Sequence, residues 1–259
     1  RDAHETQGML ATAGVSENAE SLGVRYGGWL PGGAVRVYGL GQKRAVDDPN
    51  EFRNLQGGFR GDWGDAETTL TLQGDIYHGD QDALPGQLSE TALNGGNVLG
   101  RWTRRFADNS SFQVQAYADR AERQIASNIR AEVRSGSVDA QYNLASLGRH
   151  DIIIGAGMRV TTDRFVPGPG TAFLDPDKRR LSTYSAFVQD TVAITADVDF
   201  IAGLKLEDNS YTGLEYMPSG RIAWRPSDNT LVWAAVSRAV RTPSRFDRDL
   251  YATGILDGG

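Results

Sequence analysis

Polar and apolar residues alternate along most of this chain. In the stretch ending DIYHG, Leu70, Leu72 and Ile76 share one face, while Thr69, Thr71, Gln73 and Asp75 share the other. This is the period of two expected of a strand with unlike faces. The pattern recurs in Phe112, Val114, Ala116 and Ala118, set against Gln113, Gln115, Tyr117 and Asp119. It recurs again in Val138, Ala140, Tyr142 and Leu144, set against Ser137, Asp139, Gln141 and Asn143. The alternation predicts roughly thirteen strands of about 8–12 residues, with no convincing amphipathic helix between them. Tight turns are expected at Pro31-Gly32-Gly33, Gly64-Asp65-Ala66, Ala107-Asp108-Asn109, Ser146 to Arg149, Thr195-Ala196-Asp197 and Ser227-Asp228-Asn229. They alternate with longer connections at Asp47-Asp48-Pro49, from Asp80 to Asn94 and from Arg164 to Arg180, although the first of this series, Glu17 to Ala19, is short.

Short turns at one end and longer loops at the other are the habit of antiparallel up-and-down transmembrane β-barrels. The mean hydropathy of −0.42 does not oppose this reading, because water-facing and lipid-facing residues average out along each strand. No apolar run approaches the ~20 residues of a membrane helix; the longest are Ile152 to Met158 and Leu231 to Val236. Bulky rings gather beside the short turns, at Trp29, Trp63, Phe106, Phe112, Phe200, Trp224 and Trp233, as in the aromatic girdles of barrels. Soluble cores also place aromatics at strand ends, so the rings alone do not decide between them. Two residues break the alternation. Arg104 shares parity with Trp102 and Phe106, close enough to a turn to snorkel. Asp190 shares parity with Tyr184, Ala186 and Val188, which suggests a bulge or an interfacial position.

Composition removes several classes of function. The formal charge of −6 gives no basic stripe for nucleic acid. Absence of cysteine excludes disulfides, zinc–thiolate sites and thiol nucleophiles. The three histidines, His4, His78 and His150, stand in unlike contexts, and no nucleophile–base–orienter set is suggested, so an enzyme is not expected. His78 with Asp80 and Asp82 is a weak metal-like cluster, too thin to assign. Gly39 to Lys43 lacks the strand–loop–helix context of a phosphate loop. No metal and no cofactor is implied. Arg1 is followed by polar residues rather than an apolar signal core, so the chain reads as mature, truncated or excised.

Four ordered stretches point to a family. They are AFVQDT (Ala186 to Thr191), GLKLEDNSYTG (Gly203 to Gly213), PSGRIAWRP (Pro218 to Pro226) and LVWAAVSRAVRTPSRFDRD (Leu231 to Asp249). Within the last, SRAVRTPSR closely resembles the serine–arginine–proline segment in the barrels of TonB-dependent outer-membrane receptors, many of which take up ferric siderophores. The resemblance implies an all-β architecture: an incomplete barrel, residues 6–259, supplying about 13 strands of the ~22 in such transporters. RDAHETQG is similar to the junction where the family's plug domain ends, so residues 1–5 are expected to close that link. The plug, and the box ahead of it on which a periplasmic energy-coupling TonB complex pulls, are expected outside these residues. The implied function is energised uptake of a scarce solute, most often a ferric siderophore, across the outer membrane of a Gram-negative bacterium. Implied partners are outer-membrane lipid, the receptor's own plug, the coupling complex and the chelate; nucleic acid is not among them. A passive porin-like channel and a soluble β-sandwich or solenoid displaying loops are the competing classes.

Candidate ligand-facing residues lie in the longer loops: Arg164, Lys178, Arg179, Arg180 and Tyr211. Cations and aromatic faces suit anionic, catechol-bearing iron chelates; solvated loop charges or lipopolysaccharide contacts are the alternative reading. The family-motif loop comprises Ser237, Arg238, Arg241, Pro243 and Arg245, with Pro243 expected to close off the last strand. The series Arg238, Arg241, Arg245 and Arg248 either binds ligand or pairs with plug acids, or else Arg245, Asp247, Arg248 and Asp249 form a local ion-pair network that shapes the loop. The last is favoured, because exposed pairs bring little energy yet can fix a path.

Overall fold

The alternating segments pair with their sequence neighbours into one antiparallel sheet. The structure is a computed structural model describing residues 2–47, 50–82, 90–125, 129–168 and 173–251. Its strands are β1 (Gly8–Val15), β2 (Ala19–Leu30), β3 (Gly33–Asp47), β4 (Asn50–Gly64), β5 (Thr68–Gln81), β6 (Thr91–Arg105), β7 (Ser111–Ile125), β8 (Ile129–Asn143) and β9 (His150–Val166). The chain continues through β10 (Phe173–Leu174), β11 (Lys178–Ala193), β12 (Val198–Asn209), β13 (Gly213–Ser227), β14 (Thr230–Ser237), a single helical turn α1 (Arg245–Arg248) and β15 (Leu250–Tyr251). Thirteen strands form one meander in sequence order from β1 to β14, and β10 pairs with β15 as a separate two-stranded piece. Among the described residues both edges of the large sheet, β1 and β14, have one neighbour each.

This is a wall without an interior core. Among the described residues only Ala3, Ala34 and Leu174 are buried and apolar, whereas Leu22, Leu55, Ile76, Tyr216 and many other large apolar side chains stand exposed. A soluble sandwich packs such side chains between two layers; among the described residues no second layer covers them, and the side chains fit a bilayer instead. The register carries polarity from strand to strand. On one face Arg36 lies opposite Arg60, Arg60 opposite Gln73, Thr71 opposite Arg101 and Arg101 opposite Gln115. On the other, Val37 lies opposite Phe59, Leu72 opposite Gly100, Trp102 opposite Val114 and Val114 opposite Ala140. The N-terminal turn and the segment after β14 both pack on the polar face, which we term inner.

Aromatic rings fill gaps that glycines leave on the neighbouring strand. A Cβ on Gly58 would fall 2.7 Å from the Tyr38 ring, and one on Gly155 would fall 2.4 Å from the Phe187 ring. These glycines in strands are therefore packing positions. Gly27 serves backbone contact instead: a Cβ there would lie 2.1 Å from the Thr6 carbonyl oxygen, where the N-terminal turn crosses the wall.

Several expectations are corrected. Most strands of the wall run longer than 12 residues, with 17 in β9 and 16 in β11, because charged residues beyond the bilayer keep their ladder partners in water. Arg164, Lys178, Arg179 and Arg180, expected in a loop, therefore stand on strands, with Lys178 opposite Arg164 and Arg180 opposite Thr162. The girdle loses Trp29 and Trp233, whose register partners Ala34 and Ala223 lie on the inner face. It gains Trp102 and Tyr142, which pack around Phe112 at centroid distances of 6.1 and 6.5 Å. Arg104 snorkels to the short-turn end, reaching Thr68 at 2.6 Å and Glu67 at 3.3 Å. Asp190 sits in unbroken register rather than in a bulge, beside the first residue of β9, His150, at 2.7 Å. Asp48, Pro49 and Pro169 lie outside the described residues, as do residues 83–89 of the Asp80–Asn94 connection, whose two ends stand on β5 and β6 instead of in a loop.

The end of β14 also has a different cause. The strand stops at Ser237, well before Pro243. Pro218 on β13 accepts a backbone hydrogen bond from the Arg238 N–H at 3.0 Å. Amide and carbonyl of one residue point the same way in an antiparallel ladder, so the missing N–H of Pro218 also faces β14. The ladder ends there, and the chain leaves the sheet.

Candidate functional site

At the long-loop end, the released segment folds back over the inner face. Ser244 caps α1: its side chain and backbone N–H both donate to Asp247 at 2.8 Å, a capping box closed by the Asp247 N–H. Arg241 supports it from 3.6 Å. The cap aims Arg245, the last residue of SRAVRTPSR, into the wall, where it is 6% exposed. Its guanidinium donates to Asp249 at 2.9 Å, to Asp163 on β9 and to the Pro176 carbonyl. Asp249 in turn accepts from Arg179 on β11 at 2.7 Å and from the Tyr211 hydroxyl at 3.1 Å. The Arg179 guanidinium lies 4.9 Å above the Tyr211 ring. Phe246 meets Phe165 edge-on, and Phe173 stacks on Tyr251 at 5.7 Å.

The result is a clasp joining β9, β11, the β12–β13 turn and the post-β14 segment. Burial alone would push the Asp249 carboxyl up, but hydrogen bonds from Arg245, Tyr211 and Arg179 hold it below the usual carboxylate range. Burial and the bond to Asp249 raise the Tyr211 phenol. The clasp is therefore ionic at neutral pH, and its charges are largely spent on one another. Within the clasp, the Arg179–Tyr211 pair keeps an aromatic face and a partly exposed cation together. Arg238, by contrast, stays outside the clasp, paired with Glu215 at 3.0 Å and 4.5 Å above the Tyr216 ring.

Of the sequence candidates, Arg179, Tyr211 and Arg245 are thus brought together, whereas Arg164, Lys178 and Arg180 point to the outer face. Sequence reasoning missed Asp163, whose partner Arg245 lies 82 positions away. It also missed the reach of Asp249, expected to pair only within its own loop. Inward parity of Asp163 with Arg159 and Thr161 was the available signal.

At the opposite end the N-terminal turn is held to the same face. Asp62 accepts from the Ala3 N–H at 2.8 Å, from Thr71 at 2.7 Å and from Arg60 through two nitrogens at 2.7 and 2.9 Å. His4 lies 5.4 Å from Trp29. Asp2, His4 and Asp62 present ligand-type atoms within 4.8 Å of one another, yet those of Asp62 are already committed to this network. His78 bonds Asn94 at 2.6 Å and lies 3.6 Å from Asp80.

A sequence model of the family described as TonB dependent receptor-like, beta-barrel, matches residues 12–259. No curated protein sequence gives a match. Solved structures with the same fold include the siderophore receptor PirA from Acinetobacter baumannii, at TM-score 0.72 and 14% identity over 91% of this chain and 42% of that one. PirA from Pseudomonas aeruginosa gives TM-score 0.68 and 16% identity, covering 91% of this chain and 42% of its own. The ferric enterobactin receptor PfeA, in complex with BCV-L6, gives TM-score 0.72 and 12% identity, with 92% and 44% covered. The chain thus spans less than half the length of these receptors.

Proposed function

The chain belongs to the TonB-dependent receptor-like β-barrel family, an outer-membrane family of Gram-negative bacteria, and from that membership we propose that it is part of a receptor for energised solute uptake. A ferric siderophore is the solute class that fits best. The observation that carries the reading is the inside-out wall: aliphatic residues cover one face and polar residues the other, with almost no buried apolar side chain among the described residues. Two of the structural neighbours are siderophore receptors and a third is a ferric enterobactin receptor, which supports the solute class.

In this reading residues 1–5 close the link from a plug domain, and residues 6–259 form part of the barrel wall. The anchoring of Ala3 and Thr6 to the inner face supports that division. The plug fills the lumen against the polar row, and the TonB complex acts on it from the short-turn side. Arg179 and Tyr211 face the solute at the mouth, and the clasp holds them there. No covalent chemistry is needed: the receptor binds, and the coupled complex supplies energy. Uptake of a radiolabelled ferric tris-catecholate by cells whose only receptor is the complete protein tests this. Uptake that collapses with the proton gradient is expected. No uptake of ferric chelates from a receptor correctly placed in the outer membrane would overturn the solute class, and a receptor absent from that membrane would overturn the whole reading.

A further inference from the structure

The N-terminal turn is fastened to the wall by one carboxylate. Asp62 stands on β4, opposite Ala34 of β3 and Thr71 of β5. The wall itself holds both of its oxygens, through two bonds from Arg60 and one from Thr71. A further bond comes from the Ala3 N–H at 2.8 Å, 59 positions away in the chain. Hydrogen bonds to an ionised carboxylate are roughly twice as strong as neutral ones. Behind that contact the turn is braced on itself. The Ala3 carbonyl accepts from the Thr6 N–H and hydroxyl, both at 3.2 Å, and from the Gln7 side chain at 2.7 Å. Ala3, Thr6 and Asp62 are all buried.

The route of the turn decides which strand carries a pull. β1 begins at Gly8, whose φ of 81° lets the chain leave the sheet sharply. From there the turn passes over Gly27 on β2, where the Thr6 carbonyl leaves no room for a side chain, and reaches β4 at Asp62. That point lies three strand spacings, roughly 14 Å, from β1. A pull away from the inner face that arrived directly at Gly8 would open β1 from its first pair, Gly8 with Gly27, and break the ladder one pair at a time. A pull arriving at Asp2 meets Asp62 first. There β4, 15 residues long, is paired on both sides, so two ladders share the force. We propose that Asp62 is the stop that ends traction on the segment preceding Asp2, passing the force to β4 so that the plug yields while β1 stays paired. This role rests on the reading that a plug precedes the turn and is pulled by the coupling complex. Asp62 then acts as a positioning residue.

Force spectroscopy on the complete receptor in a lipid bilayer, pulled by its N-terminus from the periplasmic side, tests it. In the wild type, unravelling of the plug is expected to end at Asp2, with residues 2–15 still held. Asp62→Ala is expected to lengthen the last event by about 50 Å, the contour of residues 2–15 at ~3.5 Å each, as the turn and β1 follow the plug. Gly27→Ala is expected to give the same gain with Asp62 intact, because its methyl would fall 2.1 Å from the Thr6 carbonyl oxygen. Asp62→Asn, which keeps an oxygen for the Ala3 N–H, is expected to retain the stop at a lower force. Gly39→Ala, whose methyl meets nothing within 4 Å, is expected to behave as wild type. An unchanged last event in Asp62→Ala or Gly27→Ala, in a receptor whose plug unravels, would overturn the proposal. A wild type that gives no plug extension would overturn the plug reading and the stop with it. Heat-modifiable gel migration selects variants with a folded barrel, and Gly27→Ala carries the test if Asp62→Ala does not assemble.

Discussion

Replacing Arg245 by Met tests the clasp most directly. Methionine keeps much of the volume and removes the charge that Asp163 and Asp249 share. Both carboxylates are then left facing each other, 17% and 7% exposed, with Arg179 alone to compensate. Breaking a buried pair by removing one partner costs about 3–5 kcal/mol, mostly from the charge left behind. The cost falls on the clasp, since the sheet below keeps its ladders. At 1.4 kcal/mol per decade, amide protection across 238–251 is expected to fall by about two to three and a half decades. Hydrogen exchange read by mass spectrometry on the complete receptor in detergent measures this directly, with strands β3 to β8 as internal reference. Adding Asp163→Asn and Asp249→Asn to Arg245→Met is expected to restore much of the protection, because neutral partners cost less to bury. Unchanged protection in Arg245→Met, or a triple variant no better than the single one, would refute the argument that charge pairing holds this segment down.

Three further outcomes follow from the wall. Ala140→Arg, midway along the outer apolar run of β8, is expected to destabilise the folded receptor by about 2–4 kcal/mol in a urea titration in lipid vesicles, and Gln141→Arg, on the inner face, by far less; equal effects would mean the faces are misassigned. Gly155→Ala drives a methyl into the Phe187 ring and is expected to cost about 1–3 kcal/mol, whereas Gly39→Ala meets nothing within 4 Å and is expected to be near neutral in the same titration. Because Asp249 is held below the usual carboxylate range, its contribution to the clasp is fully present above the unfolded value of about 3.9 and is lost as pH falls through the lower folded value; the protection factor at 238–251, exchange divided out by its intrinsic rate, is therefore expected to be flat from pH 7 to 5 and to fall below pH 4, and a fall already at pH 6 would count against it.

Alternation by itself determined the architecture. A period of two, repeated over segments long enough to cross a bilayer, leaves little choice but strands with one wet and one greasy face, and short turns dictate which strands are neighbours. The count of thirteen strands and the snorkelling of Arg104 were legible for that reason. What alternation leaves open is where pairing stops, because a charged residue in water keeps its ladder bonds as readily as an apolar one in lipid. Loop boundaries around Arg164 and Lys178 were therefore misplaced, and with them the direction of three candidate cations. Nor does local pattern reveal a proline acting across strands, as Pro218 does on β14. The bond between Arg245 and Asp163 needed the sheet to bring β9 beneath a segment far along the chain, and only tertiary structure creates that proximity. Strand periodicity is a property of neighbouring residues, whereas the clasp is a property of register accumulated over the wall.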